Sequence, residues 1–106
     1  MSEKNIDPLI GSLQAKVMHY IWSEGPVTVH QVRDAINVTG HKLAYTLILT
    51  VMRNLVRRKL LDQKPVGHSH MFTALVSKVD YQKQVIAYVI ETYFESNHRE
   101  FDEAAA

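Results

Sequence analysis

The sequence predicts a mainly α-helical chain with one small β-hairpin: a three-helix core, the hairpin behind it, then one further helix. Three observations predict this. Apolar residues recur at three- and four-residue spacing in three stretches separated by Gly-Pro or Asn/Gly breaks. Two short, partly alternating stretches flank the turn cluster Pro65-Val66-Gly67-His68-Ser69. A last stretch carries a broad apolar and aromatic stripe within an acidic segment.

The first helix is expected from Leu9 to Ser23, approached by Asp7-Pro8. Its stripe is Ile10, Leu13, Val17 and Ile21, widened by Met18 and Trp22. Glu24-Gly25-Pro26 stops it, because glycine accepts the C-terminal cap conformation and proline cannot continue the ladder. Val27-Thr28-Val29 fits a short strand as well as a connector. Thr28 and Gln31 have the spacing of a capping box, so a second helix runs from there to about Asn37 and buries Val29, Val32, Ala35 and Ile36. Asn37-Val38-Thr39-Gly40 breaks the chain again.

A longer helix is then expected over about 42–59. Ala44, Ile48, Val51, Met52 and Leu55 form its apolar stripe, and Thr46, Leu49, Thr50, Arg53 and Arg57 fall on the other face. That face holds two hydroxyls and two guanidinium groups and no acid, the chemistry that reaches base edges and phosphates in a major groove. An ordinary amphipathic helix with a solvated cationic back has the same pattern. Leu60–Lys64 and His70–Val76 read as the strands of a hairpin, with Pro65 ending a strand or sitting at its edge. Two short helices, a glycine-containing turn, a basic helix and a hairpin are the order of a winged helix-turn-helix.

The chain has 106 residues, the size of one small domain, and 46% of them are hydrophobic. It has no cysteine, which excludes disulfides, zinc-thiolate sites and thiol redox sensing. The net charge of +1 hides a split. Residues 1–78 carry ten Lys/Arg against five Asp/Glu, an excess of +5, and residues 79–106 carry two against six, an excess of −4. A basic front joined to an acidic tail suggests a polyanion-binding module, 1–77, followed by a segment with another task, 78–106. In that segment a helix expected over about 78–97, with Ser77 as its cap, aligns Val85, Ile86, Val89, Ile90, Tyr93 and Phe94. A small core cannot cover so broad a stripe, so a partner helix is implied for these six residues.

The candidate DNA contacts are Thr46, Thr50, Arg53 and Arg57 on the groove face, with Lys42 and Arg58 as phosphate contacts at its margins. Tyr45 fits a phosphate contact through its hydroxyl or packing against the second helix. Leu49 fits contact with thymine methyls or a filler at the junction of the second and third helices. His68 and His70, two apart, would point the same way on a strand, but two imidazoles without a third ligand are too few for a tight metal site. His68 near a phosphate is the better fit, with protonation favoured by the DNA charge. Asp62 is expected to partner a nearby cation at the hairpin base. No phosphate-cradling glycine loop, nucleophile elbow or paired acids stand out, so the expectation is a non-enzymatic, cytoplasmic protein without cofactor or metal. No apolar run approaches membrane-spanning length.

Leu13 to Trp22 with Glu24-Gly25-Pro26-Val27-Thr28 resembles the opening of the penicillinase-repressor (BlaI/MecI-type) winged-helix regulators. So do Leu43-Ala44-Tyr45-Thr46, Thr50-Val51, Leu55 and Arg57-Arg58-Lys59-Leu60-Leu61. The resemblance covers roughly residues 9–96. It implies a homodimeric bacterial repressor on a palindromic double-stranded DNA operator, read by the third helix with the wing, 65–70, on the backbone. It implies that the C-terminal helices form the dimer interface, here Val85, Ile86, Val89, Ile90, Tyr93 and Phe94, and that a membrane-bound sensor protease can trigger cleavage in the C-terminal region. Three features depart from the family pattern: Leu47 and Leu49 where a polar residue is frequent, a wing tip Gly67-His68-Ser69-His70 instead of an Arg/Lys-rich one, and a shorter C-terminal part. A reading of another class remains beside this one. A winged-helix interaction module would bind a protein through the exposed apolar face of helix 78–97, and a ligand-gated sensor is a third.

Overall fold

The computed structural model describes residues 7–94. Six elements follow in order: α1 (Ser12–Glu24), α2 (Val29–Asn37), α3 (Tyr45–Arg57), β1 (Leu61–Val66), β2 (Ser69–Ala74) and α4 (Lys78–Tyr93). This is the winged helix-turn-helix order. The chain forms two compact units, one from Ile10 to Ser77 and the other, within the described residues, from 7–9 together with 78–94.

The first unit is built on most of the expected stripes, although Ile10 precedes α1 and Ile10, Leu13, Ala35 and Val51 are only half-buried. Val17, Met18 and Ile21 of α1, Val32 and Ile36 of α2, and Ile48, Met52 and Leu55 of α3 are all buried, and Leu61 and Phe72 close the core from the hairpin. No polar or charged side chain is buried among the described residues, so the interior rests on apolar packing alone. Polar groups instead fasten the elements at the rim. Gln14 Nε2 donates to Asn54 Oδ1 at 2.9 Å, tying α1 to α3. The indole Nε1 of Trp22 donates to the Val76 carbonyl at 2.9 Å, tying the end of α1 to the chain just beyond the hairpin.

α1 starts at Ser12, three residues later than the sequence suggests, because Gly11 is extended and serves as the N-cap while Gln14 Oε1 accepts the Gly11 N–H. Its stop at Gly25 follows the expectation, with φ of 83° and the glycine N–H returned to the Ile21 carbonyl. The capping box of α2 is formed in both directions: Thr28 Oγ1 accepts from Gln31 N, and Gln31 Oε1 accepts from Thr28 N. Val27 makes a single antiparallel bridge with Phe72, so the connector is also a minimal third strand beside β2.

α3 spans Tyr45–Arg57 and not 42–59. The cause is Asn37, whose side chain donates to the Leu43 carbonyl and accepts from the Leu43 N–H, holding that residue outside the helix. Ala44 becomes the N-cap and is exposed, so it is not part of the buried stripe. The far end closes with a Schellman arrangement: Lys59 N bonds to the Val56 carbonyl and Leu60 N to the Leu55 carbonyl. Lys59 sits at φ of 68°, a conformation that glycine usually supplies.

β1 and β2 pair from Leu61–Ala74 to Val66–Ser69, and the turn is only Gly67-His68, with Gly67 at φ of 61°. Pro65 lies inside β1, opposite His70, which is tolerated because β1 has β2 as its single neighbour and is an edge strand. The tighter turn also separates the two histidines: His70 is on β2, but His68 is a turn residue, so they do not share a strand face. Asp62 and Lys64 form an exposed pair at 3.9 Å.

α4 begins after Ser77 and ends at Tyr93, with Phe94 already a bend, earlier than the expected end at residue 97; residues 95–97 and the acidic end lie outside the described residues. In this unit Tyr81 is buried and its hydroxyl donates to the Pro8 carbonyl at 2.6 Å. Val85, Val89, Ile90 and Phe94 are half-buried, whereas Ile86 and Tyr93 are 59% and 68% exposed.

Candidate nucleic-acid interface

The outward face of α3 is set by its inward one. With Ile48, Met52 and Leu55 fixed in the core, Thr46, Thr50, Arg53 and Arg57 all emerge into solvent along one side. Thr50 Oγ1 donates to the Thr46 carbonyl at 2.9 Å, so in this arrangement its hydroxyl offers only acceptor capacity outward. Leu47 is 43% exposed at the margin. Lys42 is exposed in the stretch before the helix, and Arg58, half-buried, is the C-cap residue.

Tyr45 does not stand free: its ring lies 4.5 Å from that of His30 on α2, tilted by 37°. Beside this pair is a notch of about 190 Å³ between the start of α2, the side of α3 and the hairpin. Tyr45, Leu49 and Arg53 line it from α3, Thr28 and His30 from α2, and Gln63, His68, Ser69, His70 and Phe72 from the hairpin. Leu49 is half-buried there, with its apolar surface partly covered. The notch thus gathers Tyr45, Leu49, Arg53 and His68 from among the candidate contacts, while Thr46, Thr50 and Arg57 stay on the open helix face.

Sequence periodicity missed two residues of this arrangement, His30 and Gln63. Neither lies in a motif, and only the packing of α2 and β1 beside α3 brings them to the notch. Among the described residues no three histidine or acidic side chains are grouped to hold a metal ion, and no helix is long and apolar enough to cross a membrane.

Residues 10–104 match the penicillinase repressor family. The chain belongs to that family. Its similarity to the transcriptional regulator BlaI of two Mycobacterium tuberculosis strains is 34% identity over 64 residues, 59% of this chain. The match spans 46% of the length of those relatives. The fold resembles the solution structure of the DNA-binding domain of the repressor BlaI, with a TM-score of 0.61 at 21% identity over 73% of this chain and 93% of that one. It also resembles the YusO protein of Bacillus subtilis, with a TM-score of 0.59 at 12% identity, covering 91% of this chain and 70% of that one. A third likeness is to the adhesin competence repressor of Streptococcus pyogenes, with a TM-score of 0.52 at 12% identity over 92% of this chain and 75% of the other. These likenesses establish the winged-helix fold.

Proposed function

We propose that this chain is a DNA-binding transcriptional repressor of the cytoplasm that acts as a homodimer on a palindromic operator. The observation that carries the reading is the acid-free outer face of α3, where Thr46, Thr50, Arg53 and Arg57 stand exposed on a helix anchored by the core. In this reading 1–77 is the DNA-binding part and 78–106 the dimerisation helix and tail. α3 enters the major groove, with Lys42, Tyr45, Arg58 and His68 on phosphates and Leu49 at the groove edge. Val85, Ile86, Val89, Ile90, Tyr93 and Phe94 meet a second copy, and the dimer sets two half-sites about one helical turn apart. A sensor protease that cleaves the C-terminal region would release the operator by weakening the dimer. The test of that last element is the length of the chain in cells before and after induction.

Titration of a labelled duplex from the promoter beside the protein's own gene, with competitor DNA present, tests the reading. Specific binding that weakens steeply with salt supports it. The open apolar residues of α4 favour a second reading, a winged-helix interaction module that docks a protein partner. Binding indifferent to sequence and to Arg53→Ala would favour that module.

A further inference from the structure

The notch between α2, α3 and the hairpin has a composition that the outer face of α3 lacks. Three imidazoles, from His30, His68 and His70, line it together with the Arg53 guanidinium, the Tyr45 ring and Ser69. They come from separate elements: the start of α2, the turn, β2 and α3. No acid is among its lining residues. Asp62, an acid on the neighbouring stretch of β1, alternates with the notch-lining Gln63 and is paired with Lys64. The titratable and charged groups that face the notch are therefore His30, Tyr45, Arg53, His68 and His70, and every one that is charged at neutral or mildly acid pH is a cation.

We propose that this notch is a seat for a phosphate group, with Arg53 as its permanent charge and the three imidazoles as a charge that varies with pH. The proposal deepens, and rests on, the DNA-binding reading, since the phosphate nearest to hand is one of the duplex backbone. A free phosphate ion has the same chemistry, and the experiment separates the two sources. The sign follows from linkage. Imidazole is the side chain whose charge ordinarily changes between about pH 5 and 8, and a bound phosphate favours its protonated form. Binding is then tightest at the acid end of that range and weakens as pH rises. The seat also supplies the wing with cationic contacts without the Lys/Arg-rich tip that its sequence lacks, since Gly67-His68-Ser69-His70 is cationic only when protonated.

The test is binding of the whole chain to the promoter duplex at pH 6, 7 and 8 and constant ionic strength. It compares wild type, the triple variant His30→Gln, His68→Gln, His70→Gln, and His19→Gln as a control outside the notch. All four histidines are exposed, so these substitutions leave the core intact. Wild type and the control are expected to lose about tenfold in affinity from pH 6 to pH 8, the scale of one charge-assisted contact, with a salt slope shallower by about one unit at pH 8. The triple variant is expected to show neither change. A parallel arm titrates inorganic phosphate into the DNA-free protein at pH 6 and follows the imidazole resonances. A wild type that binds duplex specifically but with no pH trend, or a triple variant that keeps the trend, overturns the seat while the repressor reading stands. If the chain binds no duplex at any pH, the repressor reading fails. The seat then survives as a free-phosphate site when the notch imidazoles shift with phosphate and falls when they do not.

Discussion

α3 and α4 are both amphipathic helices, yet they resolve their apolar surface in opposite ways. α3 encloses one stripe, Ile48, Met52 and Leu55, completely, and leaves only Leu47 and Leu49 as apolar residues toward its other side. The rest of that side carries Thr46, Thr50, Arg53 and Arg57. α4 carries Val79, Tyr81, Val85, Ile86, Val89, Ile90 and Tyr93 around a wider arc, and Val79, Ile86 and Tyr93 remain more than half exposed. A helix that is apolar over so wide an arc is stable in water only when more than one side is covered. The difference is that α3 completes itself within the described core, whereas part of the apolar surface of α4 stays open among the described residues. Under the proposed function a second copy covers it.

The contrast gives tests of decreasing size. Met52→Ala should cost about 2–5 kcal/mol of unfolding free energy by chemical denaturation, equally at low and high protein concentration, because the cavity lies inside one chain. Ile86→Asp should instead abolish association in sedimentation velocity and remove operator binding with it, since a charge buried without a partner at an interface costs several kcal/mol. An Ile86→Asp protein that still sediments as a dimer would overturn the role given to α4. Arg53→Ala should weaken duplex binding by about 1–3 kcal/mol and reduce its salt slope by roughly one unit, measured by anisotropy over a salt series. Thr28→Ala, which breaks the cap of the helix beside α3, should cost about 1 kcal/mol of stability. The smallest effect expected is a gain: Lys59→Gly relieves a left-handed residue at the end of α3 and should stabilise by a few tenths to about 1 kcal/mol in the same denaturation assay.

How legible these features were depends on how local their causes are. The stop at Gly25 and the cap of α2 are set by residues within three or four positions of each other, and each is found where the sequence places it. The hairpin is also legible from its turn cluster, although the strands extend further into that cluster than proline suggested. The start of α3 is not, because it is decided by an asparagine side chain six residues upstream that clamps Leu43. Periodicity alone continued the helix backward through Ala44. The outer face of α3 follows from its inner stripe, so Thr46, Thr50, Arg53 and Arg57 were visible as a set. The notch was not visible as one. His30, Tyr45, Gln63 and His70 lie on four elements, and only packing brings them around one space. For the same reason the place of Leu49 could not be decided from spacing, since half of its surroundings come from other elements.

Leu60 sits between α3 and the hairpin, and its two backbone groups face both ways. Its N–H closes the end of α3 on the Leu55 carbonyl, and its own carbonyl accepts from Leu75 N just past β2. Its side chain is buried. The joint between helix and hairpin is therefore fastened on both sides by the same residue. A ligand that touches both α3 and the hairpin meets a spacing set in part by this residue. Under the proposed function, a DNA site that departs from that spacing would have to deform, and the deformation energy would itself be a form of sequence discrimination at positions that no side chain touches.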